Sequence, residues 1–144
     1  MQRISKDEYY LGIALAVSKR SSCLKRHYGC IIVKNDEIIA TGYNGSPRNE
    51  TNCCDLGYCK RLNEPHNSRN YANCSAVHAE QNAMLAASRR DMIGATLYLA
   101  GEELINTSTT GDYKYATMQT CEPCPICKRM IINAGIKHIV GKIS

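Results

Sequence analysis

Residues 121–140, C-E-P-C-P-I-C-K-R-M-I-I-N-A-G-I-K-H-I-V, decide the fold class. Pro125 suits the first position of a helix and Gly135 the position just after one, so a helix is predicted between them. The β-branched residues that follow predict a strand over residues 136–140, and A-T-L-Y-L-A at residues 95–100 predicts another. Because a helix connects these two strands, we expect them to be parallel neighbours in one sheet.

Outward from this segment, apolar periodicity predicts two more helices and short β-branched runs predict a hairpin. The helices are expected over residues 7–20 and 77–90, and the hairpin over residues 29–34 and 37–42. The order α-β-β-α-β-α-β predicts an α/β fold, a three-layer α/β/α sandwich with a mixed sheet and helices on both faces. We expect residues 1–144 to form one domain.

The composition narrows the class of protein and its partners. The formal net charge of +5 suits an anionic small ligand as well as nucleic acid, but no long block of Lys and Arg indicates extended nucleic acid. A transmembrane helix needs about 20 apolar residues, and the apolar runs here are much shorter. The N-terminal segment lacks the apolar region of a signal peptide. We therefore expect a cytoplasmic protein with neither a membrane nor a nucleic-acid partner.

Nine cysteines in such a chain indicate metal binding or catalysis rather than a disulfide framework. Cys124 and Cys127 are three residues apart at the start of a predicted helix, so their sulfurs face one side of its first turn. His78, near the start of another predicted helix, can add a nitrogen ligand. Three protein ligands leave the fourth tetrahedral position open, which predicts a catalytic zinc. The alternative is a closed structural site with another cysteine as its fourth ligand.

Glu80 follows His78 by two residues and can reach the open position without being a ligand. Zinc in such a site makes hydroxide available near neutral pH, and a carboxylate beside it can accept a proton and return it to the substrate. The pattern H-x-E…P-C-x-x-C is the signature of zinc-dependent nucleobase deaminases. A closed structural site accounts for the ligands but leaves Glu80 without a purpose.

Three segments resemble the deoxycytidylate (dCMP) deaminase family of the cytidine deaminase superfamily: T-G-Y-N-G-S-P at 41–47, V-H-A-E-Q-N-A at 77–83 and C-P-I-C-K at 124–128. The similarity covers most of the chain and is weakest over residues 55–76 and 101–120. The resemblance implies a cytidine deaminase-like fold and hydrolytic deamination of dCMP to dUMP. It also implies a hexamer that dCTP activates and dTTP inhibits.

The resemblance further implies roles for residues around the substrate. Asn44 is expected to contact the sugar hydroxyl region, and the Ala79 backbone is expected to help hold the base edge. An effector-binding segment is expected at Gly42, Tyr43, Asn44 and Gly45, although Asn-Gly is also a common turn pair.

A 5′-phosphate needs cationic or backbone donors, for which Lys25, Arg26 and His27 are the candidates. Ordinary solvated charge is the alternative for these residues. Tyr113 and Tyr115 either close over the base by stacking or are ordered by a contact within an oligomer.

Residues 48–75 show no clear period, and a loop this long is usually functional or ordered by something else. Together with Cys23 they contain enough soft ligands for a second, structural zinc. Some members of the family carry a second zinc in this region. The best set is Cys23, Cys53 or Cys54, His66 and Cys74, with free thiols as the alternative.

Three other functions remain open. A deaminase acting on nucleic acid, such as a tRNA adenosine deaminase, is expected to have a stronger basic face or aromatic platform than a chain without Trp and Phe. A deaminase of free cytidine or dCTP would share the chemistry and differ in how many phosphates it binds. A zinc-stabilised binding module would have no need of Glu80.

Overall fold

The computed structural model describes residues 1–59, 61, 74–107 and 112–143. The helices are α1 (Lys6–Ser18), α2 (Cys53–Leu56), α3 (Ala79–Leu85), α4 (Arg89–Met92) and α5 (Pro125–Ala134). The strands are β1 (Arg26–Lys34), β2 (Glu37–Tyr43), β3 (Thr96–Thr107), β4 (Asp112–Thr117) and β5 (His138–Val140). In the described part of the chain, no helix has the length and apolarity needed to cross a bilayer.

The strands form one mixed sheet of five. β1 lies between β2 and β3 and pairs antiparallel with both. On its other edge, β3 pairs in parallel with β5 over residues 96–98 and antiparallel with β4 over residues 102–107. The predicted hairpin of β1 and β2 and the parallel pairing of β3 with β5 are both confirmed.

Helices cover both faces of this sheet, and alternate residues of β1 serve the two faces. Ile31 and Val33 are buried in a cluster with side chains of α1, whereas Cys30 and Ile32 are buried in a second cluster with side chains of α3 and α5. Gly135 ends α5 in the left-handed conformation, with φ of 85°. The three-layer α/β/α arrangement predicted from the sequence is the fold of the chain.

The helix predicted over residues 77–90 is instead two short helices, α3 and α4. Ser88 separates them because its hydroxyl accepts the Asp91 N–H at 3.2 Å, which caps the start of α4. A serine that caps one helix cannot continue the previous one, since the capping residue has an extended backbone. The break leaves α3 as one short helix, Ala79–Leu85.

The segment over residues 101–120, where the resemblance is weakest, contains two paired strands in its described part. β3 continues to Thr107, and β4 returns beside it in register from Asp112 to Thr117. The polar residues that obscure the strand pattern in the sequence are paired in the structure. Glu102 binds Lys19 and His27, and Glu103 pairs with Arg26. Their charges are therefore compatible with an extended and partly buried strand. At the C-terminal end, the strand predicted over 136–140 is shorter, from His138 to Val140.

Candidate active site

The N-termini of α3 and α5 build the centre of the site. His78 is the capping residue of α3, and its backbone N–H donates to Oε1 of Gln81 at 2.9 Å. Cys124 is the capping residue of α5, and its Sγ accepts the Cys127 N–H at 3.4 Å. Pro125 follows at the first helical position, where its missing N–H costs nothing. Both predicted loop-to-helix junctions are thus present.

Three ligand atoms from these helix starts come together. The Nδ1 atom of His78 lies 3.6 Å from Sγ of Cys124 and 3.3 Å from Sγ of Cys127. All three atoms lie within 4.8 Å of one another. Zinc–sulfur and zinc–nitrogen bonds of ordinary length at tetrahedral angles separate the two ligand atoms by about 3.6 Å. The three residues therefore fit one zinc ion and leave a position for a fourth ligand.

The charges around these atoms also fit a cation. Burial raises the pKa of the Cys127 thiol far above its ordinary value, and the charges of Glu80 and Cys124 raise it further. Burial, assisted by the positive charge of Arg61, lowers the pKa of His78 and favours the neutral imidazole that binds metals. Two thiolates and a carboxylate in one buried place repel each other, and a divalent cation relieves that repulsion.

Glu80 lies in the first turn of α3 and is almost completely buried, with 4% of its surface exposed. Burial raises the pKa of its carboxyl, and hydrogen bonds from its own backbone N–H and from the Cys127 thiol reduce that effect. A carboxyl group with a raised pKa both accepts and returns protons near neutral pH more readily than an exposed one. Glu80 thus stands beside the candidate metal site without belonging to the three ligands.

A cavity of about 320 Å³ opens onto this centre. It is lined by His78, Glu80 and Cys124, and also by all four residues of the segment 23–26, which we call the pocket segment. Four of the residues predicted to bind substrate line this cavity: Lys25, Arg26, Asn44 and Ala79. The structure therefore brings the predicted metal site and the predicted substrate residues together in one place.

Three of the predicted substrate residues make hydrogen bonds or ion pairs within the protein. Lys25 Nζ donates to the Arg61 carbonyl at 3.0 Å, and Arg26 Nη2 pairs with Glu103 at 3.3 Å. The Asn44 amide accepts the Tyr28 N–H at 2.8 Å and donates to the Arg26 carbonyl at 3.0 Å. Asn44 thus joins the end of β2 to the start of β1, a structural contribution that the sequence did not indicate.

Among the cavity residues that the sequence did not single out, Arg61 and Tyr28 carry functional groups of interest. Arg61 lines the cavity and adds positive charge close to His78, but it lies in a segment without any periodic signal. Tyr28 also lines the cavity, and burial raises the pKa of its phenol, which keeps the hydroxyl protonated. In the sequence, Tyr28 is indistinguishable from an ordinary residue of a strand.

Tyr113, Tyr115 and His27 are placed away from the cavity among the described residues, and an oligomer contact of the two tyrosines remains a prediction. The Tyr115 ring stacks on His27 with centroids 4.1 Å apart, and Tyr113 is 66% exposed. His27 Nδ1 faces Glu102 at 2.8 Å rather than the cavity. None of the three side chains lines the cavity in the described part of the chain.

The segment expected to bind an effector, residues 42–45, packs tightly against α3. A Cβ on Gly42 would lie 2.3 Å from the Ala83 nitrogen, so only glycine lets β2 approach the helix this closely. Gly45 exchanges two backbone hydrogen bonds with Val77, and Tyr43 is 39% exposed. Close packing against α3 explains Gly42, and effector binding by residues 42–45 remains a prediction.

Three of the residues predicted to bind a second zinc lie around the same cavity. Cys23, Cys53 and Cys74 line the cavity together with Cys59. Burial raises the pKa of Cys23 to about 12, and the charges of Cys53 and Cys74 contribute to this increase. Cys54 is exposed, and His66 lies outside the described residues. Among the described residues, His78, Cys124 and Cys127 are the only three donors close enough to share an ion. The second zinc therefore remains a prediction.

Comparisons with known proteins agree with this geometry. The family model of the cytidine and deoxycytidylate deaminase zinc-binding region matches residues 4–142. Deoxycytidylate deaminase of Saccharomyces cerevisiae is 40% identical over 97% of this chain, which spans only 38% of the yeast protein. Deoxycytidylate deaminase of Mycobacterium phage D29 is 36% identical, and the match covers 97% of this chain and 96% of the phage protein.

A solved structure shows the same fold. The dCMP deaminase from cyanophage S-TIM5 in apo form superposes with a TM-score of 0.64 at 29% identity, over 96% of this chain and 82% of that chain. The structure of the same cyanophage protein in complex with dCMP and dUMP superposes with a TM-score of 0.61. The family match, the full-length phage relative and the shared fold lead to one conclusion: this chain belongs to the cytidine and deoxycytidylate deaminase family.

Proposed function

We propose that this chain is a single zinc-dependent deaminase domain that hydrolyses dCMP to dUMP and ammonia. His78, Cys124 and Cys127 would hold the zinc, and Glu80 would transfer the protons. The observation that carries the proposal is the position of the buried Glu80 carboxyl, which lines the same cavity as His78 and Cys124 and so puts a proton carrier beside the metal ligands. A purely structural zinc site has no use for such a group.

Deamination adds water to the base and releases ammonia, so a proton has to move from the water to the substrate. When bound, zinc supplies a Lewis acid that lowers the pKa of water towards neutrality. Glu80 takes a proton from the attacking water and returns one to the substrate, so that the amino group leaves as ammonia. The burial that raises the Glu80 pKa favours this exchange of protons near neutral pH.

Other residues of the cavity would bind and orient the nucleotide. The Ala79 backbone, at the start of α3, would hold the base edge, and Asn44 would contact the sugar. Lys25 and Arg26 would bind the 5′-phosphate, since both line the same cavity as Glu80. Arg61 joins them as a third cationic residue of the cavity.

The relatives support dCMP as the substrate. The proteins named deoxycytidylate deaminase include one that this chain matches over nearly its full length, and the cyanophage structure contains dCMP and dUMP. Regulation by dCTP and dTTP, assembly into a hexamer, a second structural zinc and a cytoplasmic location remain predictions.

Ammonia release from zinc-loaded protein tests the proposal. dCMP, dCTP, CMP and deoxycytidine are supplied separately, each with and without added dCTP or dTTP. Turnover of dCMP in preference to the other three substrates is the expected result. Turnover of dCTP alone would move the substrate to the triphosphate, and no turnover of any of the four would contradict the proposed function.

A further inference from the structure

The backbone of the pocket segment is fixed at four consecutive carbonyl oxygens. Each oxygen accepts a hydrogen bond from a different residue outside the segment. Cys23 O accepts from His27 Nε2 at 2.8 Å, Leu24 O from the Tyr115 hydroxyl at 2.7 Å, Lys25 O from Leu104 N at 3.0 Å and Arg26 O from Asn44 Nδ2 at 3.0 Å. Complete pairing of this kind leaves the segment little freedom to move.

The hairpin of β3 and β4 provides most of this support. Leu104 and Tyr115 donate directly and are paired opposite each other in the hairpin. Glu102 lies directly opposite His27 in the pairing of β1 with β3, with Oε1 2.8 Å from His27 Nδ1, and its side chain also binds Lys19 at the end of α1. The Tyr115 ring covers His27 by stacking.

These supporting side chains lie on the face of the sheet opposite the cavity. Successive residues of a strand point to opposite faces, so Arg26 and Tyr28 face one way and His27 the other. Arg26 and Tyr28 line the cavity, whereas His27 and Tyr115 do not. Among the described residues, Tyr115 therefore reaches a ligand in the cavity indirectly, through the pocket segment that it holds.

We propose that Tyr115 is a positioning residue for nucleotide binding: its hydrogen bond to Leu24 holds the pocket segment so that Lys25 and Arg26 meet the 5′-phosphate. This inference rests on the proposed function, and it gives a purpose to the pairing of β3 with β4. A segment that is already ordered loses less entropy when it binds the phosphate, so its fixation raises affinity without any new contact.

The Tyr115→Phe variant tests this role because it removes only the hydroxyl. Tyr113→Phe is the matched control, since Tyr113 lies two residues away on the same strand, is 66% exposed, and its side chain makes no hydrogen bond among the described residues. The loss of one hydrogen bond is expected to raise KM for dCMP roughly threefold to tenfold with little change in kcat. Deoxycytidine, assayed as a substrate or as a competitor of dCMP, has no phosphate and is expected to show no change.

Backbone hydrogen exchange gives a second readout that does not depend on turnover. In Tyr115→Phe the amides of residues 23–28 are expected to exchange faster than in Tyr113→Phe, while the melting temperatures of the two variants stay close. Equal KM values for dCMP and equal exchange in both variants would overturn the inference. An equal loss for dCMP and deoxycytidine would also overturn it, because the effect would then not concern the phosphate.

The two proposals fail in different ways. If the wild-type protein does not turn over dCMP, the proposed function fails, and with it the phosphate-binding part of this inference. If the wild-type protein turns over dCMP and Tyr115→Phe behaves like Tyr113→Phe, only the inference fails.

Discussion

The Nδ1 atom of His78 lies 3.3 Å from the Sγ atom of Cys127, although 49 residues separate them in the sequence. The contact joins the starts of α3 and α5, two helices that pack on the same face of the sheet. A metal ion at this contact would tie both helices together. Metal binding is therefore expected to be linked to the stability of the fold as well as to activity.

Removal of the metal is expected to lower the melting temperature of the wild-type protein. A ligand that binds only the folded state at a hundred times its Kd stabilises it by about 2.7 kcal/mol. Cys127→Ser is expected to melt near the temperature of the chelated wild type and to show no further decrease with chelator. Differential scanning fluorimetry with and without a chelator, together with metal analysis, measures both effects.

Cys54→Ser is the control for this experiment because Cys54 is exposed. It is expected to keep the zinc held by His78, Cys124 and Cys127 and therefore to melt at a lower temperature when chelator is added. A Cys127→Ser protein that holds zinc with wild-type stoichiometry and still melts lower with chelator would contradict the ligand assignment.

Glu80→Gln is expected to retain zinc and lose catalysis. The amide keeps the shape of the side chain but cannot carry a proton between water and substrate, so kcat is expected to fall by about a hundredfold or more. Ammonia release under saturating dCMP measures the loss, and metal analysis shows whether the zinc remains.

Glu122→Gln is the matched control, since Glu122 also lines the cavity but is exposed. This variant is expected to keep most of the activity. The assignment of Glu80 would be wrong if the two variants lost activity equally, or if Glu122→Gln were the more impaired.

The ligands and Glu80 could be predicted from the sequence because their spacing is fixed by the first turns of helices. The hairpin of β3 and β4 could not, since its polar residues conceal the strand period. Glu102 is compatible with a strand only because Lys19 and His27, 83 and 75 residues away in the sequence, bind its carboxylate. Such partners become visible only when the chain is folded. Arg61 was missed for the same reason, because nothing in its local sequence connects it with His78.

Glu102 is expected to make the folded state sensitive to acid. Burial alone would raise the pKa of this carboxyl, but the hydrogen bonds from Lys19 and His27 outweigh it and hold the pKa below its ordinary value of 4.5. A lowered pKa in the folded state contributes stability that is fully present above pH 4.5 and is lost as the pH falls through the folded value. The free energy of unfolding of the wild type should therefore decrease as the pH falls below 4.5.

The variant Glu102→Gln has no carboxyl to titrate and should show a shallower decrease. Urea unfolding of both proteins at pH 7 and at several pH values below 4.5 measures the difference. Both proteins are studied with chelator, because acid also releases metal from histidine and thiolate ligands. Parallel pH profiles of the two proteins would rule out this contribution of Glu102.

Gly42→Ala is expected to destabilise the protein and to disturb the metal site together. The added Cβ would lie 2.3 Å from the Ala83 nitrogen and 2.5 Å from the Ala79 carbonyl oxygen, so α3 would have to move away from β2. Overpacking of this kind typically costs about 1–3 kcal/mol. Since α3 begins at the capping residue His78 and carries Glu80, its displacement should also weaken zinc binding and activity.

Gly12→Ala is the matched control for this substitution. Gly12 lies within α1, and a Cβ there would meet nothing within 4 Å. Alanine is a better helix former than glycine, so this variant should be more stable by about 0.5–1 kcal/mol and keep its zinc. Urea unfolding and zinc titration of both variants compare the two positions. If Gly42→Ala unfolded at the same urea concentration as the wild type, β2 and α3 would not be packed as closely as the structure shows.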